Sequence, residues 1–285
     1  MLRTTPGKAT YPAQLSTIHR PPHELYIQSN NWPELVTKPM LAIVGSRKVS
    51  PYGRAITSQF AREAAARGIT IVSGLALGID SIAHEAALEV NGKTIAVLPS
   101  GLERIYPSSH AGLARRIVEQ GGALISEYPP HSKVAFKSNF IARNRIIAGL
   151  SQVVLLTEAS LKSGSLHTAN FAIEQGIDTA AVPGPIDSTL SSGCNSLIKT
   201  GAIMVTEPAD ILQLFNISTN AHAVTPQGSN ASETIILELL HTGVHDIDEL
   251  QMQSGLSADM FQQTLSMLEI TGRIQAHGGG TFSLR

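Results

Sequence analysis

Cysteine occurs once in this chain, as Cys194, which excludes an internal disulfide framework and any cysteine-rich zinc module. No apolar run approaches the roughly 18 residues that a membrane span requires. The opening stretch, MLRTTPGKATYPAQL, lacks the apolar centre of a secretion signal, so the expectation is a soluble cytoplasmic chain with no membrane partner. Neither sign of charge dominates: 21 Lys and Arg face 22 Asp and Glu, for a net −1. That excludes a globally basic nucleic-acid coat protein but leaves room for a local basic groove. Internal repeats and low-complexity tracts are absent as well. What is present is apolar substance: 42% of the 285 residues are hydrophobic and only 15% charged. Such a chain can build one large core and one small one without disulfides or metals.

The charge is unevenly shared along the chain. Residues 232–285 hold seven acidic side chains and two basic ones, whereas the other 231 residues hold 19 basic and 15 acidic. Between them NISTNAHAVTPQGSNAS (216–232) is polar and carries a Pro and a Gly, which marks a linker over 216–231. Within 40–215, seven short runs (MLAIVGS, TIVSG, TIAVLPS, ALISEY, QVVLLTE, DTAAVPG and AIMVTE) are apolar at consecutive positions, as strands buried on both faces of a parallel sheet must be. The segments between them (52–67, 79–90, 109–120, 139–150, 164–176, 191–200) fit amphipathic helices. Alternating strands and helices with right-handed crossovers give an α/β fold of extended Rossmann-like type. The 232–285 domain reads as three helices and a hairpin closed by Gly278–Gly280, which is the winged-helix pattern. Its third helix carries a stripe of Phe261, Leu265 and Leu268. Residues 1–39 are too short for a domain and are expected to form an arm packed on the sheet, anchored by Trp32, with residues 1–10 the stretch most open to disorder.

In a doubly wound sheet, ligands bind beyond the carboxyl ends of the strands. The loop after the first run is Gly45-Ser46-Arg47, with Pro51 suited to open a helix. Close backbone approach, a hydroxyl, helix amides and a guanidinium fork together describe an anion site, most naturally for phosphate. Small-residue loops recur as Ser73-Gly74, Ser100-Gly101, Ser163-Gly164-Ser165 and Pro183-Gly184-Pro185. Each alone is what a tight turn needs anyway; five on one edge point to a phosphate-rich ligand. From Lys133 to Arg145 there are four basic side chains (Lys133, Lys137, Arg143, Arg145) and no acidic one, interleaved with Phe136 and Phe140. Cations along a phosphate backbone with aromatic faces for bases are the needs of single-stranded nucleic-acid binding. The bland alternative pairs the arginines with carboxylates and puts the phenylalanines in the core. Arg143 and Arg145 cannot share a helix face. One is therefore expected to be structural, bound to Glu158 or Glu127, while the other faces the ligand.

Other chemistries find little support. The dinucleotide fingerprint is missing after the first run, and Gly92-Lys93-Thr94 has Ala87 where a P-loop needs its leading glycine. No cofactor is implied. His84, His110 and His167 have no metal or nucleophile partner at motif spacing. Asp80 is expected to cap a helix beginning near Ser81, Glu174 to hold loop amides or, as the lesser option, to do chemistry, and Cys194 to be a small buried residue.

These segments resemble the DNA-processing protein A family (DprA/Smf) of natural transformation. The blocks that carry the resemblance are AIVGSRKVSPYG, SGLALGIDSIAHEAAL, GLERIYPSSH, FIARNRIIAGLS, SGSLHTANFAIEQG, VPGP and GCNSLIKTGA, in family order across 40–215. The resemblance implies a non-enzymatic, dimeric protein that binds single-stranded DNA, shields it, and loads RecA recombinase. Carried over block by block, it implies Ser46 and Arg47, Ser73 and Gly74, and Lys137, Phe140, Arg143 and Arg145 as DNA-binding residues. The family's Phe-Pro before the RNR motif is Phe140-Ile141 here, and the 39 leading residues cannot supply the sterile-alpha-motif domain of some members. The rival reading is a nucleotide phosphoribohydrolase of the lysine-decarboxylase-like group, whose Thr-loop-Glu pattern SGSLHTANFAIE echoes. A third is a sensor of a small nucleotide.

Overall fold

Seven aliphatic runs become seven parallel strands, the central five buried on both sides, and the alternation within β3 (Met40–Val44) shows how. Met40, Ala42 and Val44 enter one apolar cluster and Leu41 and Ile43 the other. The computed structural model describes residues 1–133, 136, 138–217, 228–277 and 280–284. It divides into two compact units, Met1–Ile217 and Ser218–Arg285.

The first unit holds a nine-stranded sheet. Two short strands, β1 (Leu2–Thr4) and β2 (Leu25–Ser29), precede β3 and a short helix α1 (Trp32–Leu35). Then strands and helices alternate: α2 (Pro51–Ala66), β4 (Thr70–Ser73), α3 (Ile79–Glu89), β5 (Thr94–Val97), α4 (Ala111–Glu119), β6 (Ala123–Ser126) and α5 (Ser138–Leu150). The series continues with β7 (Val153–Leu156), α6 (Leu166–Glu174), β8 (Asp178–Ala181), α7 (Ser192–Lys199), β9 (Ile203–Met204) and α8 (Pro208–Leu214). The order across the sheet is β1-β2-β6-β5-β4-β3-β7-β8-β9, parallel from β6 to β9. Helices α5, α6 and α7 cover one face; α2, α3, α4 and α8 cover the other.

No strand is expected in residues 1–39, yet β2 extends the sheet antiparallel to β6, with Ile27 opposite Ile125, and β1 pairs antiparallel to β2. Local periodicity in LRT and LYIQS is too short to announce a strand; the exposed edge of β6 creates it. Residues 1–10 are likewise ordered, by β1 and by the paired hydroxyls of Thr4 and Thr10 at 2.8 Å. Trp32 is buried and its indole donates to the Thr10 carbonyl at 2.8 Å. Leu15 and Ile18 lie against Gly149 on the back of α5, so the amino-terminal segment props that helix.

The second unit carries α9 (Ala231–His241), α10 (Ile247–Ser254) and α11 (Ala258–Ile270), followed by β10 (Ile274–His277) paired with β11 (Thr281–Leu284). Phe261, Leu265 and Leu268 form the buried stripe of α11 and pack with Ile236, Leu240 and Leu250. The three helices and the hairpin make a winged helix. Of the linker over 216–231, residues 218–227 lie outside the described residues, as do Gly278 and Gly279 of the hairpin turn.

Candidate nucleic-acid interface

The order in which strands are added reverses at β3. From there β4, β5 and β6 build one half of the sheet and β7, β8 and β9 the other, so the loops leaving β3 and β7 diverge. A crevice opens between them at the carboxyl edge. Here it is a cleft of about 1040 Å³, walled by the β3–α2 loop, the β5–α4 loop, the amino-terminal half of α5 and the β7–α6 loop.

Its electrostatics are one-sided. Arg47, Lys48, Arg104, Lys133 and Lys162 line it with exposed side chains. Among the described lining residues the carboxylate is Asp80, and it is buried. Arg47 lies across the ring of Phe140, with its Cζ 5.1 Å from the centroid, and Tyr106 meets the same ring edge-on at 5.3 Å. Phe136, 71% exposed, adds a further aromatic to the wall. A flexible polyanion with planar bases finds both of its complements here.

The expected residues separate into two groups. Ser46, Arg47, Phe140 and Arg143 line the cleft. The Ser46 hydroxyl, however, donates to the Lys48 carbonyl and accepts the Lys48 N–H at 3.1 Å, so it shapes the turn that presents Arg47 instead of offering itself to an anion. Ser73, Gly74 and Arg145 do not line it. The Ser73 hydroxyl donates to the Ile43 carbonyl, and the side chain is fully buried. Gly74 is a point of close approach: a Cβ there would sit 2.3 Å from Nη1 of Arg143. The Arg145 guanidinium is paired with Glu127, one of the two partners expected for the structural arginine. Lys137 lies outside the described residues.

Arg143-Asn144-Arg145 therefore acts as a pin. Successive residues on a helix point about 100° apart, and here each ties α5 to a different neighbour. Arg143 donates to the carbonyls of Gly74 and Val97 and, from Nε, to Asn144 Oδ1 at 3.1 Å. Asn144 reaches the Gly164 carbonyl at 3.3 Å, and Arg145 reaches Glu127. Arg143 is 4% exposed; burial lowers its pKa to about 10, opposed by Asp80, with Arg47 adding to the fall, so it keeps its charge at neutral pH. Asp80 is pushed up by burial while Arg143 and the amides of Ala76 and Gly74 pull it down. The helix it belongs to starts at Ile79 with Gly78 as cap. Asp80 thus holds the β4–α3 loop through the Gly74 N–H at 3.1 Å instead of capping α3.

Of the five small-residue loops, those after β3 and β7 line the cleft. The Pro183-Gly184-Pro185 turn is closed on itself by Asn195, which both donates to and accepts from Gly184. Gly101 is pressed against the carbonyls of Pro129 and Pro130. Lys133, the first cation of the basic stretch, lines the cleft, and Arg104, Tyr106, Lys162 and His167 are cleft residues that motif reasoning did not assign to the site, though GLERIYPSSH and the SGS loop contain or adjoin all four. The nucleophile candidates stand aside. Cys194 is buried, its thiol pushed up to about 12 by that burial, and Glu174 is exposed at the end of α6, outside the cleft lining.

The family model for DNA recombination-mediator protein A matches residues 3–216, and that for the DprA winged helix domain matches 220–280. The chain belongs to the DNA recombination-mediator protein A family. Among its DprA relatives, Protein Smf of Escherichia coli K12 is 43% identical over 96% of this chain and 75% of that protein. A DNA processing protein DprA of Mycobacterium tuberculosis is 36% identical over 84% of this chain, which spans 62% of that relative. The solved DprA of Streptococcus pneumoniae superposes with a TM-score of 0.69 at 40% identity, covering 74% of this chain and 73% of that one. A structure addressing the single-stranded DNA binding mode of the Helicobacter pylori protein has a TM-score of 0.67 at 32% identity, covering 76% and 96%. Among the described residues no helix is long and apolar enough to cross a membrane.

Proposed function

We propose that this chain binds single-stranded DNA in the cleft at the sheet's switch point, without cutting or modifying it, and acts as a recombination mediator. The observation that carries the reading is the conjunction of exposed cations with the Arg47–Phe140–Tyr106 group in one open crevice. Arg47, Lys48, Arg104, Lys133 and Lys162 follow the phosphates, and Phe140 and Tyr106 meet bases; Lys137, which lies outside the described residues, is proposed from the sequence as a further phosphate contact. Arg143 and Arg145 act from behind, by holding that helix in place. The reading extends to a homodimer that shields incoming DNA in natural transformation and loads RecA recombinase. The single-stranded DNA binding mode described for the Helicobacter pylori relative supports the first part. The winged helix, with its acidic excess, serves protein contacts instead of duplex binding.

A fluorescent oligo-dT titrated against duplex of equal length, at two salt concentrations and with ATP hydrolysis followed in parallel, tests the core of this. Tight, salt-sensitive binding of the single strand without hydrolysis is expected; equal affinity for duplex overturns it. The phosphoribohydrolase reading loses its acid, because Glu174 lies outside the cleft lining. Release of free base from a nucleoside monophosphate would restore it.

A further inference from the structure

A strand followed by a glycine turn and a helix normally leaves amides free at the helix start, and phosphates settle there. In this chain that seat is closed from within: Pro51 has no N–H, the Ser50 hydroxyl oxygen accepts the Gly53 N–H at 3.0 Å, and Ser50 is itself held by a buried carboxylate. Glu158, just past the end of β7, turns its carboxylate under the first turn of α2. Its Oε2 accepts the Ser50 N–H at 3.0 Å and its Oε1 accepts the Ser50 hydroxyl. The residue is 2% exposed, and among the described residues no cation forms an ion pair with it. The helix start is shaped around it: a Cβ on Gly53 would lie 2.5 Å from Oε2. The backbone of the same residue reaches the other end of the loop, where its carbonyl accepts the Ser46 N–H at 2.7 Å. One glutamate thus holds both ends of the segment that presents Arg47 and Lys48.

We propose that the Glu158 carboxylate is a built-in anion. It occupies the phosphate seat of the first strand–helix turn, fixes the Arg47 loop as a positioning residue, and so makes the cleft select a polymer held by side-chain cations over a mononucleotide held by helix amides. A buried carboxylate on an amide and a hydroxyl is bound by the same charge-assisted hydrogen bonds that a phosphate would use. Its negative charge also cancels the positive end of α2, so a free phosphate gains nothing there. The selectivity clause rests on the single-strand reading above; the occupied seat does not.

The test uses the full chain with Glu158→Ala, which empties the seat, and Glu158→Gln, which fills it without charge. Thermal unfolding is followed in sodium formate, sodium phosphate and sodium chloride at matched ionic strength, and oligo-dT and thymidine monophosphate binding are titrated. Formate is expected to raise the melting temperature of Glu158→Ala saturably beyond chloride, and phosphate or the mononucleotide to stabilise that variant but not the parent. Both variants are expected to lose oligo-dT affinity by about tenfold, as misplaced contact groups do; formate restores it in Glu158→Ala alone. A folded Glu158→Ala that responds to formate as to chloride, or a variant that binds oligo-dT like the parent, overturns the proposal. If Glu158→Ala does not fold, Glu158→Gln decides: parental affinity refutes the role, and a tenfold loss with an unchanged circular-dichroism spectrum supports it. A parent that ignores oligo-dT sinks the single-strand reading, while formate rescue of stability still tests the seat.

Discussion

The β3–α2 loop and helix α5 bring guanidinium groups to the same cleft, and they use them in opposite ways. Arg47 is exposed and rests on an aromatic ring, a contact that a phosphate or a base can replace at little cost. Arg143 is buried, and its donors are committed to two backbone carbonyls and a neighbouring amide. The first is a ligand group and the second a beam. Charge type alone says nothing about which is which; the number of protein acceptors already satisfied does.

Removing the beam should have the largest effect. Arg143→Ala leaves Asp80 buried without its cation and strands two carbonyls, so chemical denaturation should show a loss of about 3–5 kcal/mol. A loss below about 1 kcal/mol would erase the distinction from Arg47. A second buried titratable group is His84 on α3, fully enclosed with its Nδ1 on Thr94 at 2.6 Å. Burial, aided by His110 and Arg143, depresses its pKa to about 3. The unfolded chain therefore takes up a proton below about pH 6.5 that the folded chain refuses until near 3. Stability should fall through that window by up to ~1.4 kcal/mol per pH unit from this group, and His84→Asn should flatten the slope in urea titrations between pH 7 and 4. A slope left unchanged would remove His84 from the account.

On the exposed side the effects should be smaller and should fall on binding. Arg47→Ala is expected to cost roughly 1–3 kcal/mol of oligo-dT affinity at an unchanged melting temperature, with a shallower salt dependence. Phe140→Ala should cost about 1–3 kcal/mol through lost stacking. Because the two side chains touch, the double variant should lose less than the sum; strict additivity would mean that the cation–π contact is idle. The smallest change is expected from ending the chain at Ile217. Without the acidic winged helix, oligo-dT affinity should stay within about a factor of two, and a larger drop would assign that unit to the single strand.

Much of this was legible in the residues. The seven apolar runs correspond to β3 to β9; β3 to β7 are buried on both faces, and such a strand needs nothing beyond its own composition to be recognised, whereas the edge strand β9 is exposed. The cleft was anticipated from the loop after β3. What stayed hidden was non-local. β1 and β2 exist because β6 offers an edge. The sequence leaves open which of Arg143 and Arg145 is structural and offers two carboxylates for it; nothing in RNR tells that Arg145 takes Glu127 while Arg143, too, turns inward under Gly74 instead of facing a ligand. Lys162 and Arg104 enter the site only because the chain folds their loops across the crevice. Glu158 was visible as a partner for an arginine; that it serves a helix start instead depends on the space above Gly53, which no pattern records.

The wedge formed by Leu15 and Ile18 behind Gly149 has a practical corollary. The repeating α/β pattern begins at residue 40, and a fragment trimmed to that point would look complete on paper. It would lack the floor beneath the helix that carries Phe140 and Arg143. Proteolysis near the amino terminus should thus slacken the cleft from a distance, and the minimal working piece of this protein includes its first forty residues.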